Sequence, residues 1–122
     1  MSRQAKIETD IVIKDICVLK DAVALACKEL LGTAVEQIRY YAGKNLVTGI
    51  KVGHVEIGVT VENGKLVFVG EDYVLNSPEG TKIQRAVVKN YKSLGLVRVF
   101  KKLGYATSFK QGAKNIIMGV RS

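Results

Sequence analysis

The chain has no tryptophan, one proline, one histidine and two cysteines, and after Glu79 it has no acidic side chain at all. Each scarcity excludes something. No apolar run approaches the roughly 18 residues that a bilayer-spanning helix needs. The opening MSRQAKIETD has no apolar signal core, so the expected compartment is the cytoplasm or an equivalent interior. Few prolines and no low-complexity stretch argue against disorder beyond the first residues. Cys17 and Cys27 fall ten residues apart in one predicted helix, a rise of about 15 Å, too far for a disulfide. They have no His or Cys neighbours at metal-ligand spacing, and both are expected to be buried, inert thiols.

Catalytic signatures are missing as well. The lone His54 has no partner set, and there is neither a phosphate-binding P-loop nor a G-x-G-x-x-G turn. The carboxylates Glu56, Glu62, Glu71 and Asp72 are scattered about one hairpin and form no readable pair. The expectation is a binding or accessory protein rather than an enzyme, with no cofactor and no metal.

What is present suits one globular unit over 1–122: 122 residues, 48% hydrophobic and 25% charged. Ile7, Thr9, Ile11 and Ile13 alternate with charged residues and predict a half-buried strand over 6–14. Asp15 offers a helix N-cap and Gly32 a stop. Between them Ile16, Leu19, Val23, Ala26, Cys27 and Leu30 recur at helical spacing. Strands are predicted over 34–41 and 47–52. Val55, Ile57, Val59 and Val61 then alternate with Glu56, Gly58, Thr60 and Glu62, Asn63-Gly64 follows, and KLVFV returns. Asn-Gly between two such runs predicts a type I′ hairpin, whose central residues both need φ > 0.

Residues 74–80 read as a loop, and Thr81 as the start of a second helix with an apolar stripe of Ile83, Val87, Tyr91 and Leu94. Beyond Gly95 the apolar residues Leu96, Val97, Val99, Phe100 and Leu103 centre on nearly the opposite face. The expectation is a break or bend near Gly95, or burial on two sides. Gly104 is a natural stop, and YATSFK and IIMGVR suggest a closing hairpin. The order β-α-β-β-β-β-α-β-β gives an α+β fold, a mostly antiparallel sheet with two main helices on one face.

The net charge of +8 is concentrated. Lys82, Arg85, Lys89, Lys92, Arg98, Lys101, Lys102, Lys110, Lys114 and Arg121 all follow Glu79, whereas the first 79 residues carry nine basic and eleven acidic groups. Lys82, Arg85, Lys89 and Lys92 are spaced by 3, 4 and 3, so they share about 80° of a helix face. No acidic residue lies three or four positions away from them within a helix that starts at Thr81. Such a stripe suits nucleic acid, RNA or DNA, or an acidic protein. A solvated lysine-rich face is the alternative, in which acidic side chains from elsewhere neutralise it. Tyr40, Tyr41, Tyr105 and Phe109 are candidates for stacking on bases, with core packing as their other use.

The segments KIETDI, VLKDAV, HVEIGVTVENGKLVFV, KNYKSLGLVRVFKKLGY and YATSFKQGAKNIIMGVR, in that order, resemble the plastid and cyanobacterial conserved-reading-frame family known as hypothetical chloroplast frame thirty-five, a domain of unknown function. The resemblance implies a small cytoplasmic or stromal accessory domain and carries no functional residues with it. In charge the chain departs from that family, which tends to acidic residues in the last helix and hairpin. Two functions stay open: a polyanion-binding domain, or an assembly factor that docks an acidic partner or forms a homo-oligomer through exposed sheet edges.

Overall fold

The computed structural model describes residues 4–38, 46–111 and 116–121, the closing hairpin (105–110 and 116–121) by its backbone. The elements are β1 (Gln4–Val12), α1 (Ile16–Leu30), β2 (Thr33–Val35), β3 (Leu46–Val52), β4 (Val55–Glu62), β5 (Lys65–Glu71), α2 (Asp72–Leu75), α3 (Pro78–Lys102), β6 (Tyr105–Lys110) and β7 (Ile116–Arg121). This is the expected α+β order with one short helix added. Five strands form a fully antiparallel sheet in the order β1-β5-β4-β3-β2. The closing hairpin β6–β7 is a separate two-stranded sheet.

Helix α1 begins where Asp15 caps it, its Oδ1 accepting from the Cys17 N–H at 2.8 Å. At its other end Leu31, not Gly32, takes the left-handed conformation (φ 56). Gly32 serves a different need. A Cβ there would lie 2.6 Å from Val52 Cγ2 and 2.8 Å from the Lys51 carbonyl oxygen, so the residue lets the helix exit pass tightly over β3. Cys27 is buried as expected, and burial pushes its thiol pKa up. Cys17 is exposed, contrary to expectation. It sits two positions, or about 200° of helix, before Leu19, which faces the core.

The Asn63-Gly64 turn has φ of 54 and 76 and joins β4 to β5 in the register Glu62↔Lys65, as the type I′ reading requires. Strand β5 is buried on both faces. Leu66 and Phe68 meet Leu19 and Val23 of α1 and Ile83 and Val87 of α3 in the main core, while Val67 and Val69 meet Ile38 and Leu46 on the opposite side. The polar phase of β4 is therefore only partly solvated, since Gly58 and Thr60 are buried. A Cβ on Gly58 would press on Leu46, Val69 and Ile38, the residues that cover this second face. The strand predicted over 34–41 is shorter than expected, ending at Val35, and Ile38 beyond it plugs this side of the sheet. Residues 39–41 of that prediction lie outside the described residues.

Two expectations about the long helix are corrected. Residues 74–80 are not a loop, and α3 begins at Pro78 rather than Thr81. Ser77 is the cap, its Oγ accepting from the Gly80 N–H at 3.0 Å, and Pro78 supplies a preset φ at the first helical position. The helix then runs unbroken for 25 residues through Gly95. One glycine costs a helix only about 1 kcal/mol relative to alanine, too little to end one that is packed along its length. Three of the five apolar residues beyond it are left facing water. Leu96, Val99 and Leu103 remain 51%, 50% and 64% exposed, and Val97 and Phe100 are half-buried.

The two glycines of this helix give an opposed pair of expectations. A Cβ at Gly95 meets nothing, so Gly95→Ala should raise stability by about 0.5–1 kcal/mol. At Gly80 a Cβ would overlap the Val74 carbonyl oxygen outright, and the corner between α2 and α3 would have to open. Gly80→Ala should therefore lower stability by roughly 1–3 kcal/mol despite its better helix propensity. Denaturant midpoints of the two variants check the signs. Equal and positive shifts would contradict the tight corner.

Candidate anion-binding face of the long helix

Helix α3 lies beside α1 on one face of the sheet and turns its other side outward. Ile83, Ala86, Val87 and Asn90 point inward and are buried. Lys82, Arg85 and Lys92 are exposed on the outer side and Lys89 is half-buried there, so the four cations share one face, as their spacing requires. Tyr91 anchors the helix to the β1–α1 junction, its hydroxyl donating to the Val12 carbonyl at 3.3 Å and accepting from the Lys14 N–H at 3.4 Å.

The cations differ in their surroundings. Lys89 Nζ donates to Glu29 Oε1 of α1, a pair that is three-quarters buried. Gln111, just past β6, sits at the same junction. Its Nε2 donates to the Leu25 carbonyl at 2.8 Å and lies 3.4 Å from both Glu29 Oε1 and Asn90 Oδ1. Arg98 Nη1 donates to Asp15 Oδ2 at 2.8 Å. That bond, aided by the Cys17 N–H, holds the Asp15 carboxyl below its ordinary range, so the residue caps α1 and ties down α3 as a carboxylate. Because α3 starts at Pro78, Glu79 stands in its first turn three positions before Lys82, contrary to expectation, yet Lys82, Arg85, Lys92, Lys101 and Lys102 form no ion pair with another described residue.

An open groove of about 710 Å³ runs between the end of α1 and the first half of α3, lined by Glu29, Asn76, Thr81, Lys82, Arg85 and Lys89 among others. Three of its lining residues are stripe cations, and Glu29 is the acidic one. Nothing in the local pattern around Glu29 marks it as part of a site, since it reaches Lys89 from 60 residues away. Asn76 is equally hidden, because the stretch before Thr81 reads as loop.

The other candidates are placed unevenly. Lys101 and Lys102 are exposed in the last turn of α3, beside a helix C-terminus that favours cations. Lys110 and Arg121 lie on β6 and β7, with Lys110 opposite Ile116 and Arg121 opposite Tyr105 in the register. Phe109 pairs with Ile117 on the same ribbon. Tyr40, Tyr41 and Lys114 lie outside the described residues. His54 is exposed in the two-residue turn between β3 and β4. Among the described residues no cluster of three His, Cys, Asp or Glu groups could hold a metal ion, and no helix is long and apolar enough to cross a membrane. No family model, no curated protein and no solved structure matches the chain.

Proposed function

We propose that this protein is a non-catalytic binding module whose working surface is the outer face of α3 and whose ligand is polyanionic. The observation that supports the reading is the continuous row Lys82, Arg85, Lys89 and Lys92 beside an open groove, with only Lys89 committed to a carboxylate among described residues. Four like charges in a row repel one another, and an anionic ligand relieves that repulsion. A row of cations by itself suits the phosphates of RNA or DNA, which such contacts bind with little regard to sequence. An acidic protein satisfies the same cations, and the apolar residues that continue the row favour it.

Titration of a fluorescent single-stranded oligonucleotide and of a polyglutamate peptide with the protein, over ~50–200 mM salt, tests the reading. Binding of at least one, weakening steeply as salt rises, is expected. Absence of binding to both at ~50 mM salt would leave the stripe as a solvated face and remove the proposal.

A further inference from the structure

The outer face of α3 does not end with its cations. Lys82, Arg85, Lys89, Lys92, Leu96, Val99 and Leu103 follow one another at spacings of 3, 4, 3, 4, 3 and 4. An alternation of threes and fours has a mean period of about 3.5 residues, the spacing by which one helix presents a seam to another. The first four positions of this seam are basic and the last three apolar. All but Lys89 are exposed, and Leu96, Val99 and Leu103 are among the few large apolar side chains of the described residues left half or more in water. From Lys82 to Leu103 the seam spans about 31 Å, or three heptads.

We infer that this seam docks one helical segment of another protein, acidic where it faces Lys82–Lys92 and apolar where it faces Leu96–Leu103. The inference rests on the anion-binding reading above and names the partner. Two features of the seam select this occupant. A second copy of the chain fits in neither direction. Parallel pairing sets the four cations against four cations, and antiparallel pairing buries Lys82, Arg85 and Lys89 against Leu103, Val99 and Leu96, where charge is costly to desolvate, and sets Lys92 against Lys92. Nucleic acid satisfies the cations but leaves the three apolar side chains in water, since a phosphate backbone offers them nothing. An acidic-then-apolar helix matches both halves at once. Carboxylates meet Lys82, Arg85 and Lys92, which have no ion pair with another described residue, and apolar knobs cover Leu96, Val99 and Leu103. The groove between α1 and α3 gives the acidic half a trough to lie in.

The experiment uses the full chain and a synthetic helical peptide of about three heptads. Its seam positions carry Glu over one half and Leu over the other, and it is made in both chain directions. A shuffled peptide of identical composition, an RNA oligonucleotide and vesicles of anionic phospholipid serve as comparisons. Two variants are made, K82Q/R85Q/K92Q and L96S/V99S/L103S. All substituted positions are exposed, and circular dichroism checks that both variants fold. The patterned peptide in one direction should bind at least about tenfold tighter than the shuffled one, and each variant should lose about tenfold or more of that affinity. The serine variant should bind the oligonucleotide as the parent does.

Patterned and shuffled peptides binding alike, with the serine variant unaffected, would overturn the helical partner while leaving the polyanion reading intact. Binding of neither peptide nor oligonucleotide would overturn both. Concentration-dependent dimerisation that the serine substitutions abolish would assign the apolar half to a second copy and overturn the inference. Equal loss of anionic-vesicle binding in both variants, with no peptide binding, would assign the seam to a lipid surface and overturn it too.

Discussion

Replacing Lys82, Arg85 and Lys92 together with glutamine is expected to remove most polyanion binding and to leave the fold unchanged. The three side chains are exposed, none forms an ion pair with another described residue, and none lines the core. Their removal costs little stability, because exposed charges contribute about 0–1 kcal/mol even when paired. It relieves mutual repulsion along one helix face as well. Lys89 is deliberately retained. Its pair with Glu29 is largely buried, and removing one partner would confound a binding defect with a packing defect. If each lysine or arginine neutralises one phosphate, the slope of log affinity against log salt should flatten by up to ~0.7–0.9 for every phosphate that is no longer neutralised. The weakening should be about equal for all nucleotide sequences. A variant that binds as the parent does, with an unchanged slope, would show that the row is only solvated.

The largest single effect on stability is expected at Phe68. It is the bulkiest fully buried side chain among the described residues, it lies on β5 between Ile7 of β1 and Val59 of β4, and it shares the core with both long helices. Phe68→Ala removes the ring and leaves a void that rigid strands on either side cannot collapse. The expected loss is about 3–5 kcal/mol, a large part of the roughly 5–15 kcal/mol that usually holds a domain together. Chemical denaturation measures it. A loss below about 1 kcal/mol would mean that the two helices close over the gap and that the core is far less close-packed than the burial of its members implies.

The parts of the fold that local chemistry governs are legible in the sequence. Period-two alternation places β1, Asn63-Gly64 places the β4–β5 hairpin, and Asp15 places the start of α1. The mismatches fall where distant residues decide. Gly58 and Thr60 read as the wet phase of a strand, because nothing local announces that Ile38 and Leu46 cover that face. Gly95 reads as a break only if every large apolar residue must be buried, and Leu96, Val99 and Leu103 are not. Ser77-Pro78 is a readable helix start that the loop-like composition of 74–80 conceals. For the candidate site, the spacing of Lys82, Arg85, Lys89 and Lys92 gives their common face correctly. The ion pairs Lys89–Glu29 and Arg98–Asp15 join residues 60 and 83 positions apart, and no helical spacing rule reaches that far.

The sheet order also dictates how the chain can assemble. Strands β3, β4 and β5 are joined by two-residue turns, so their pairings close short loops at small entropic cost. Strand β1 is made first yet pairs with β5, Gln4 opposite Glu71, and cannot find its place until the whole meander has been synthesised. On topology the meander is expected to form first and β1 to join last, along the open side of β5. Until it arrives, the edge it will cover is a bare row of backbone donors and acceptors. A nascent or heat-loosened chain is therefore most exposed to wrong pairing at β5, the strand that ends up most deeply enclosed in the finished sheet.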